Sequence, residues 1–295
     1  MFERIYEMSR LNVVINFIYD YFFRNSYILR NRNYPVRKNY VNLHRWHMDD
    51  HMDNLGDYLS EVIVDHMKKI YHLDDGKKMK KTRHLYAVGS IICLGMQNAT
   101  IWGSGYIKDR TDSVLYSFFC KLRRLDIRCV RGPETRKQLL SQGFKCPEIY
   151  GDPAILMSYI YNPKGLQKKR EYSIIKHHSD KSRNTDKNEI DIVTTDYKNV
   201  IDRIAESELI ISSSLHGIIL SEVYGVPAVL YIPDYMRDTP ELYKYKDYYH
   251  STGRYDFPTA YSIQEALMTK PCTIPDFSEM RKMLIETFPV DLWKV

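Results

Sequence analysis

A short polar turn carries the residues of this sequence that are best suited to chemistry. The turn reads Ser-Ser-Ser-Leu-His-Gly over 212–217, between the apolar run Leu209–Ile211 and apolar residues at helical spacing over Ile218–Tyr224. Histidine titrates near neutral pH, so His216 can give or take a proton, and the free N–H groups at a helix start favour an anion. The turn therefore predicts an acid–base histidine beside an anion site, although a histidine here can also serve only to cap the helix.

The elements around this turn predict a βαβ unit. Leu209–Ile211 and Val229–Ile232 have the apolar pattern of buried strands, and Gly225 stands where a glycine often ends a helix. Strands joined through a helix are parallel, so the turn falls at the carboxyl end of the first strand. Open α/β sheets bind their ligands at that end.

Polar residues and glycines follow other predicted strands in the same way. Arg131 follows the apolar run Ile127–Val130 and precedes Pro133, which suits the first position of a helix. An arginine in this place can bind a carboxylate or phosphate through two parallel hydrogen bonds, or it can form a surface ion pair. Gly103 and Ser104 end another strand, where glycine allows a ligand to approach the backbone.

Two aspartates occupy comparable positions. Asn54-Leu-Gly-Asp57 precedes an apolar helical stripe over Tyr58–Tyr71, so Asp57 lies near the positive end of a helix. Asp152, in Gly-Asp-Pro-Ala, belongs to a further strand-end turn. Either carboxylate could act as a base beside His216.

The strand–turn–helix plan occurs in both halves of the chain. Strands are predicted at Leu85–Val88, Tyr172–Ile175 and Asp191–Thr194, with a helix at Tyr197–Glu206. A polar stretch with proline and glycine over 161–170 predicts a linker. We therefore expect an α/β protein of two units followed by a terminal helix. The predicted units are 1–160, 171–270 and the C-terminal helix in 271–295.

The composition is that of a globular protein. The chain has 295 residues, 44% of them hydrophobic and 27% charged, and a net charge of +6, which is compatible with an anionic small substrate, a bilayer surface or nucleic acid. Its five cysteines are scattered without a Cys-x-x-Cys pair, which favours a reducing cytoplasm over a disulfide framework. No apolar run has the length of a transmembrane helix.

The N-terminal region raises two further possibilities. An apolar stripe within Leu11–Phe22 lies among basic residues, so it predicts either a helix on an anionic membrane or one packed on the core. His47 and His51, with nearby aspartates, could share a helix face and bind a metal. A solvated loop is far more common for such a sequence, and we predict no metal site.

Several ordered blocks resemble the polysaccharide pyruvyltransferase family. They include Ser-Leu-His-Gly at 214–217, Gly-Val-Pro-Ala-Val at 225–229 and Asn-x-Gly-Asp at 54–57. Further blocks lie at 87–91, 101–105, 151–154, 174–177 and 243–253. The resemblance spans most of Asn54–Gly253, and the order of the blocks makes it more specific than any single motif.

The resemblance implies a fold and a reaction. The fold is α/β, with two Rossmann-like domains facing across a cleft as in GT-B glycosyltransferases. The enzymes of this family move the enolpyruvyl group of phosphoenolpyruvate onto two hydroxyls of a sugar, and release phosphate. No cofactor is implied beyond phosphoenolpyruvate as the donor substrate.

On this interpretation His216 is the general acid or phosphate-side catalyst, and Asp57 or Asp152 is the base. The predicted substrate-binding residues are Arg131, Ser213, Ser214, Leu215, Gly217, Gly103, Ser104, Asn54, His177 and Lys176. One departure concerns Ser214, because many family members have arginine at that position. Lys176 or Lys181 could supply the missing cation.

The resemblance also implies partners and a location. The acceptor would be a hexose of a bacterial surface polysaccharide or of its lipid-linked repeat unit, with no nucleic-acid partner. The enzyme would be cytoplasmic, with peripheral association at the inner membrane face. Two alternatives remain: a sugar-nucleotide glycosyltransferase of the same fold, and a polysaccharide-assembly protein without activity.

Overall fold

Two four-stranded parallel sheets form the framework of the computed structural model, which describes residues 36–46, 53–94, 97–108, 123–183, 185–239 and 241–294. In each sheet the strands lie in the order of the sequence. The first sheet contains β1 (Val41–His44), β2 (Arg83–Tyr86), β3 (Ala99–Trp102) and β4 (Leu125–Cys129). The second contains β5 (Arg170–Ile175), β6 (Ser207–Ser212), β7 (Ala228–Tyr231) and β8 (Thr259–Ala260).

Helices connect and cover these strands. The α-helices are α1 (Leu55–Ile70), α2 (Pro133–Ser141), α3 (Met157–Ile160), α4 (Tyr197–Ala205), α5 (Leu215–Val223), α6 (Leu242–Ser251), α7 (Ile263–Met268) and α8 (Ser278–Glu286). Short 3₁₀ turns lie at Ile92–Leu94, Pro153–Leu156, Asp234–Met236 and Val290–Trp293. Within the described ranges, no helix has both the length and the apolar character needed to cross a bilayer. The predicted stripe within Leu11–Phe22 lies outside those ranges.

The predicted βαβ unit is present. β6 and β7 are parallel, with Ile210 opposite Ala228 and Ser212 opposite Leu230, and α5 connects them. Gly225 has a φ of +73°, the left-handed conformation that glycine adopts without strain after a helix. The polar turn therefore lies at the carboxyl end of β6, as expected.

One predicted strand is wrong, and two strands and two α-helices were not predicted. Asp191–Thr194 forms no ladder within the described chain; Val193 makes a single antiparallel bridge with Asn54, and the Ile192 carbonyl accepts the Leu55 N–H at 2.8 Å. This segment thus caps the start of α1, because its hydrogen bonds go to that helix and not to the second sheet. The strands and α-helices missed were β1, β8, α3 and α6.

A shared hydrophobic cluster joins the two halves. Leu59 and Ile63 of α1 belong to the same buried cluster as Ile218 and Ile219 of α5. The predicted linker, 161–170, carries the chain from the first sheet to the second, and its last residue begins β5. The division into separate domains stays a prediction.

The C-terminal segment returns to the first half. The Leu284 carbonyl accepts the Trp102 indole N–H at 2.9 Å, and the Ile285 carbonyl accepts the Tyr71 hydroxyl at 3.0 Å. Arg83 donates to the Asp291 carbonyl at 2.6 Å. Helix α8 and the turn after it are therefore fixed to the first sheet, although the second sheet precedes them in the chain.

Candidate active site

His216 lies in the first turn of α5, directly after the carboxyl end of β6. Ser214 is the N-cap of this helix, and its hydroxyl accepts the Gly217 N–H at 3.4 Å. A Cβ added to Gly217 would lie 2.4 Å from Ser212 Oγ and 2.8 Å from Ile175 Cγ2, so only glycine allows α5 to pack this closely on the strands. The helix start that holds His216 is thus fixed by Ser214 and Gly217.

The serine hydroxyls predicted to bind an anion have partners within the chain. Ser214 caps its own helix, and the Ser213 hydroxyl accepts the His177 N–H at 2.9 Å. Leu215 is buried. The structure shows that the hydroxyls of Ser213 and Ser214 hold the turn through these hydrogen bonds. Direct contact of these residues with a substrate stays a prediction.

Asp152 faces the imidazole of His216. Its Oδ2 lies 3.7 Å from His216 Nε2, and its Oδ1 accepts the Ala154 N–H at 3.0 Å. Asp152 is fully buried, and among the described residues neither Asp152 Oδ2 nor His216 Nε2 has a hydrogen-bond partner. A buried carboxylate beside an imidazole can orient the ring. The two predicted catalytic residues are therefore adjacent, although Asp152 comes from the first half of the chain and His216 from the second.

Gly56 provides the space for the other edge of the same ring. A Cβ added at this position, in the first turn of α1, would lie 2.0 Å from His216 Nδ1. The approach explains why glycine stands between Asn54 and Asp57 in that motif. The imidazole is thus held between the start of α1 and Asp152.

We expect Gly56→Ala to reduce turnover by about 10²-fold without lowering the melting temperature. Alanine is the better helix former, but its methyl group displaces the imidazole, and misplacement of a catalytic group by about 1 Å is costly. Turnover and thermal melting should be measured for Gly56→Ala, for His216→Gln and for the double variant. If Gly56 acts through His216, the double variant has the same turnover as His216→Gln. A double variant whose loss of turnover equals the product of the two single losses would contradict this.

Asp57 brings a second buried carboxylate to this place. Asn54 Nδ2 donates to Asp57 Oδ2 at 2.6 Å, and a Cβ on Gly89 would lie 3.1 Å from Oδ1. Burial raises the pKa of Asp57, while the hydrogen bond from Asn54 and the nearby His216 act in the opposite direction. A desolvated carboxylate beside a histidine is a candidate acid–base group, as expected from the sequence.

Arg131 is more deeply buried than predicted. Its Nε donates to Asp247 Oδ2 at 3.0 Å, its Nη1 to Ser90 Oγ at 2.5 Å and its Nη2 to the Tyr106 carbonyl at 2.6 Å. A Cβ on Gly105 would lie 2.5 Å from the guanidinium carbon, so this glycine gives the group its place. The alternative of a surface ion pair is wrong because the side chain is fully buried. Its contact with a substrate anion stays a prediction.

Gly103 and Ser104 lie at the carboxyl end of β3 and shape the backbone there. Gly103 has a φ of +83°, and an added Cβ would lie 2.3 Å from Pro153 Cδ. The Ser104 hydroxyl donates to the Gly89 carbonyl at 2.8 Å. These contacts connect the ends of neighbouring strands near Asp152, and the binding role of both residues stays a prediction.

Lys176 and His177 follow β5 and have separate partners. Lys176 Nζ donates to the Ser182 carbonyl at 2.6 Å and lies 3.0 Å from Glu189 Oε2. His177 Nε2 lies 3.1 Å from Lys244 Nζ, and its Nδ1 lies 2.7 Å from Ser179 Oγ. Burial, and then the charge of Lys244, hold the pKa of His177 well below its usual range. His177 therefore stays neutral near physiological pH, where it can accept a hydrogen bond from the lysine.

His177 and His178 should make the fold sensitive to mild acid. Burial lowers the pKa of His178 to about 3, and both imidazoles have an ordinary pKa of 6.5. Below that pH the unfolded chain takes up protons that the folded chain excludes, so stability falls as the pH falls. We expect a loss of about 2 kcal/mol in unfolding free energy between about pH 7.5 and about pH 5.5. Urea unfolding of the wild type and of His178→Gln should show a smaller loss in the variant; equal losses would contradict the prediction.

Lys244 is the site residue that the sequence did not reveal. It lies on α6, an element that was not predicted, and its charge reaches both His177 and Asp57. The block at 243–253 was noted for its resemblance, but no spacing rule places Lys244 against a histidine 67 positions away. The structure brings these residues to the same end of the second sheet.

The metal alternative can be assessed for part of the chain only. His47 and His51 lie outside the described residues. In the part that the structure describes, no group of three or more His, Cys, Asp or Glu side chains is arranged to hold a metal ion.

Three comparisons relate the chain to known proteins, and one of them, with a family model, agrees with the resemblance in the sequence. Over 202 residues the chain is 28% identical to uncharacterized protein L143 of Acanthamoeba polyphaga mimivirus, a match that covers 65% of this chain and 64% of that protein. A functionally uncharacterized protein from Klebsiella pneumoniae, of known crystal structure, is 16% identical, with a TM-score of 0.42 over 67% of this chain and 84% of that one. A sequence model described as polysaccharide pyruvyl transferase matches residues 15–235. With three quarters of its length matched, the chain belongs to the polysaccharide pyruvyl transferase family.

Proposed function

We propose that this protein transfers the enolpyruvyl group of phosphoenolpyruvate onto two hydroxyls of a hexose to form a pyruvate ketal. The observation that carries the proposal is the position of His216, which lies 3.7 Å from a buried Asp152 carboxylate and beside Asp57 in a chain of this family. An imidazole between two carboxylates can move protons in both directions during one reaction.

The reaction requires balanced proton transfers. The methylene carbon of phosphoenolpyruvate takes up a proton, and a sugar hydroxyl loses one as its oxygen bonds to the central carbon. Phosphate then leaves with its bonding electrons, and the second hydroxyl closes the ketal and loses its proton. The two protons lost by the hydroxyls balance the proton gained by the new methyl group and the proton carried away by phosphate. No oxidation state changes overall, so no redox partner is needed.

His216 is assigned as the general acid and Asp57 as the base in this scheme. Asp152 faces Nε2, where it can orient the imidazole. Asp57, desolvated and bonded to Asn54, is suited to accept a proton from an attacking hydroxyl. This division gives each of the two carboxylates a separate task.

The substrate would lie between the two sheets. The acid–base residues come from both halves: Asp57 and Asp152 from the first, and His216 from the second. Such a meeting of strand ends supports two Rossmann-like units facing across a cleft, in the manner of GT-B enzymes. In this arrangement Arg131, which is paired with Asp247, is proposed to contact an anionic group of the donor.

The acceptor is proposed to be a surface polysaccharide or its lipid-linked repeat unit. If it is lipid-linked, a peripheral position at the inner membrane face would bring enzyme and substrate together. The basic N-terminal segment would then favour anionic lipid by about 1 kcal/mol for each Lys or Arg at the surface. This attraction would be screened by salt.

A donor assay separates this proposal from its alternatives. The purified chain is mixed with phosphoenolpyruvate and a panel of p-nitrophenyl hexosides, and inorganic phosphate is measured. We expect phosphate release that depends on both substrates. Sugar transfer from a nucleotide sugar would indicate a glycosyltransferase, and glycan binding without turnover of either donor would indicate an assembly protein.

A further inference from the structure

Lys244 is a buried ammonium group whose presence is not explained by the acid–base chemistry described above. It lies on α6 with 6% of its surface exposed, and lysine is almost never buried to this degree unless it is paired. Its Nζ lies 2.9 Å from Glu241 Oε2 and 3.1 Å from His177 Nε2. Burying such a pair is costly, and apolar residues would often serve the fold as well.

The contacts around Lys244 connect it to the turn that carries His216. The N–H of His177 donates to Ser213 Oγ at 2.9 Å, and the hydroxyl of Tyr245 donates to the Ser213 carbonyl at 2.7 Å. Lys244 is therefore fixed to the segment just before α5 from both sides. Its charge also acts on Asp57, which lies at the other side of the site.

The hydrogen bonds of the ammonium leave one donor available. Lysine has three N–H donors, and two of them point to acceptors, Glu241 and His177. The third has no acceptor in the part of the chain that the structure describes. The imidazole of His177 is neutral because its pKa is well below the usual range. It therefore orients the ammonium without neutralising the positive charge that would attract a substrate anion.

We propose that Lys244 binds an oxyanion of the donor substrate at the end of β5, with Glu241 and His177 as its positioning residues. The chemical class is a phosphate or carboxylate oxygen that accepts the third N–H. The identity of the donor as phosphoenolpyruvate rests on the proposed function, but the anion site does not. This role differs from that expected for Lys176, whose ammonium is bonded to Ser182 and Glu189.

Calorimetric titration of the full chain tests the proposal. The titrants are phosphoenolpyruvate, inorganic phosphate and pyruvate, and the variants are Lys244→Met and Lys246→Met. Lys246 is a matched control because it lies two residues further along the same helix, and its side chain is 52% exposed. We expect Lys244→Met to weaken phosphoenolpyruvate binding by about 10- to 100-fold, the effect of losing a charged hydrogen bond, and Lys246→Met to have no effect.

The single-group titrants identify the anion. Loss of phosphate binding alone places the phosphate on Lys244, and loss of pyruvate binding alone places the carboxylate there. Because Lys244→Met leaves Glu241 without its partner, the double variant Lys244→Met with Glu241→Gln is measured as well, and melting curves are recorded for all variants. If both Lys244 variants unfold, the lysine is structural and the proposal is overturned.

The remaining outcomes separate this proposal from the proposed function. Equal phosphoenolpyruvate affinity in folded Lys244→Met and wild type would overturn the anion site, as would a wild type that binds none of the three anions. Lys244-dependent phosphate binding without phosphate release from phosphoenolpyruvate and hexosides would support the anion site and contradict the transferase reaction.

Discussion

Replacement of His216 by glutamine is expected to lower turnover by roughly 10²-fold or more and to leave the melting temperature unchanged. Glutamine retains hydrogen-bonding atoms but does not titrate, so the proton transfer is lost while the turn before α5 remains. The start of α5 is fixed by contacts of Ser214 and Gly217 that do not involve the imidazole. Turnover under saturating phosphoenolpyruvate is the quantity to measure.

His66→Gln is the matched control for this variant. His66 lies on α1 and is half-buried, and burial, then the charge of Lys69, lowers its pKa. Its replacement should leave turnover near the wild-type value. Turnover within a few-fold of wild type in folded His216→Gln would remove the catalytic assignment and leave His216 as part of the packing at the helix start.

Loss of Asp247 is expected to cost about 3–5 kcal/mol in unfolding free energy, because it would leave the Arg131 guanidinium buried without a counter-charge. The Asp247 carboxylate also accepts the Thr135 N–H at 2.8 Å and the Thr135 hydroxyl at 2.7 Å. It thereby joins the start of α2 to α6, elements from the two halves of the chain. Urea unfolding of Asp247→Ala measures the loss.

The double variant Arg131→Met with Asp247→Leu supplies the comparison. Removing both charges leaves no unpaired ion, so this variant should recover much of the stability lost in Asp247→Ala. An Asp247→Ala chain as stable as the wild type would contradict a structural role for the pair. The buried ion pair with Asp247 would then not be needed to hold Arg131 in the folded chain.

The fold around His216 could be predicted because its signals are short-range. The two apolar strands, the helical spacing and Gly225 all lie within 24 residues of Leu209, and their geometry follows from chain handedness and helix termination. Asp191–Thr194 shows where this reasoning fails. Its pattern is that of a strand, but the backbone bonds that decide its structure come from the start of α1.

The candidate site could be predicted only in part. The sequence predicted that Asp57, Asp152 and His216 lie at strand or helix ends. It did not predict which of these ends would meet, because that depends on packing between the two halves. Gly56 was part of a recognised motif, yet its use as space for an imidazole requires the position of α5. The position of Lys244 against His177 and the ion pair of Arg131 with Asp247 likewise depend on contacts over long sequence separations.

This chain is proposed to transfer pyruvyl groups from phosphoenolpyruvate with His216 as its general acid, and incorporation of label from ¹³C-phosphoenolpyruvate into a hexoside tests this most directly. Product NMR, with phosphate measured in parallel, should be run on the wild type, His216→Gln and the control His66→Gln. The wild type and the control should form a labelled ketal carbon in equal amount to the phosphate released, while His216→Gln forms little. A wild type that releases phosphate without incorporating label into the sugar, or that transfers label as well after loss of His216, would contradict the account.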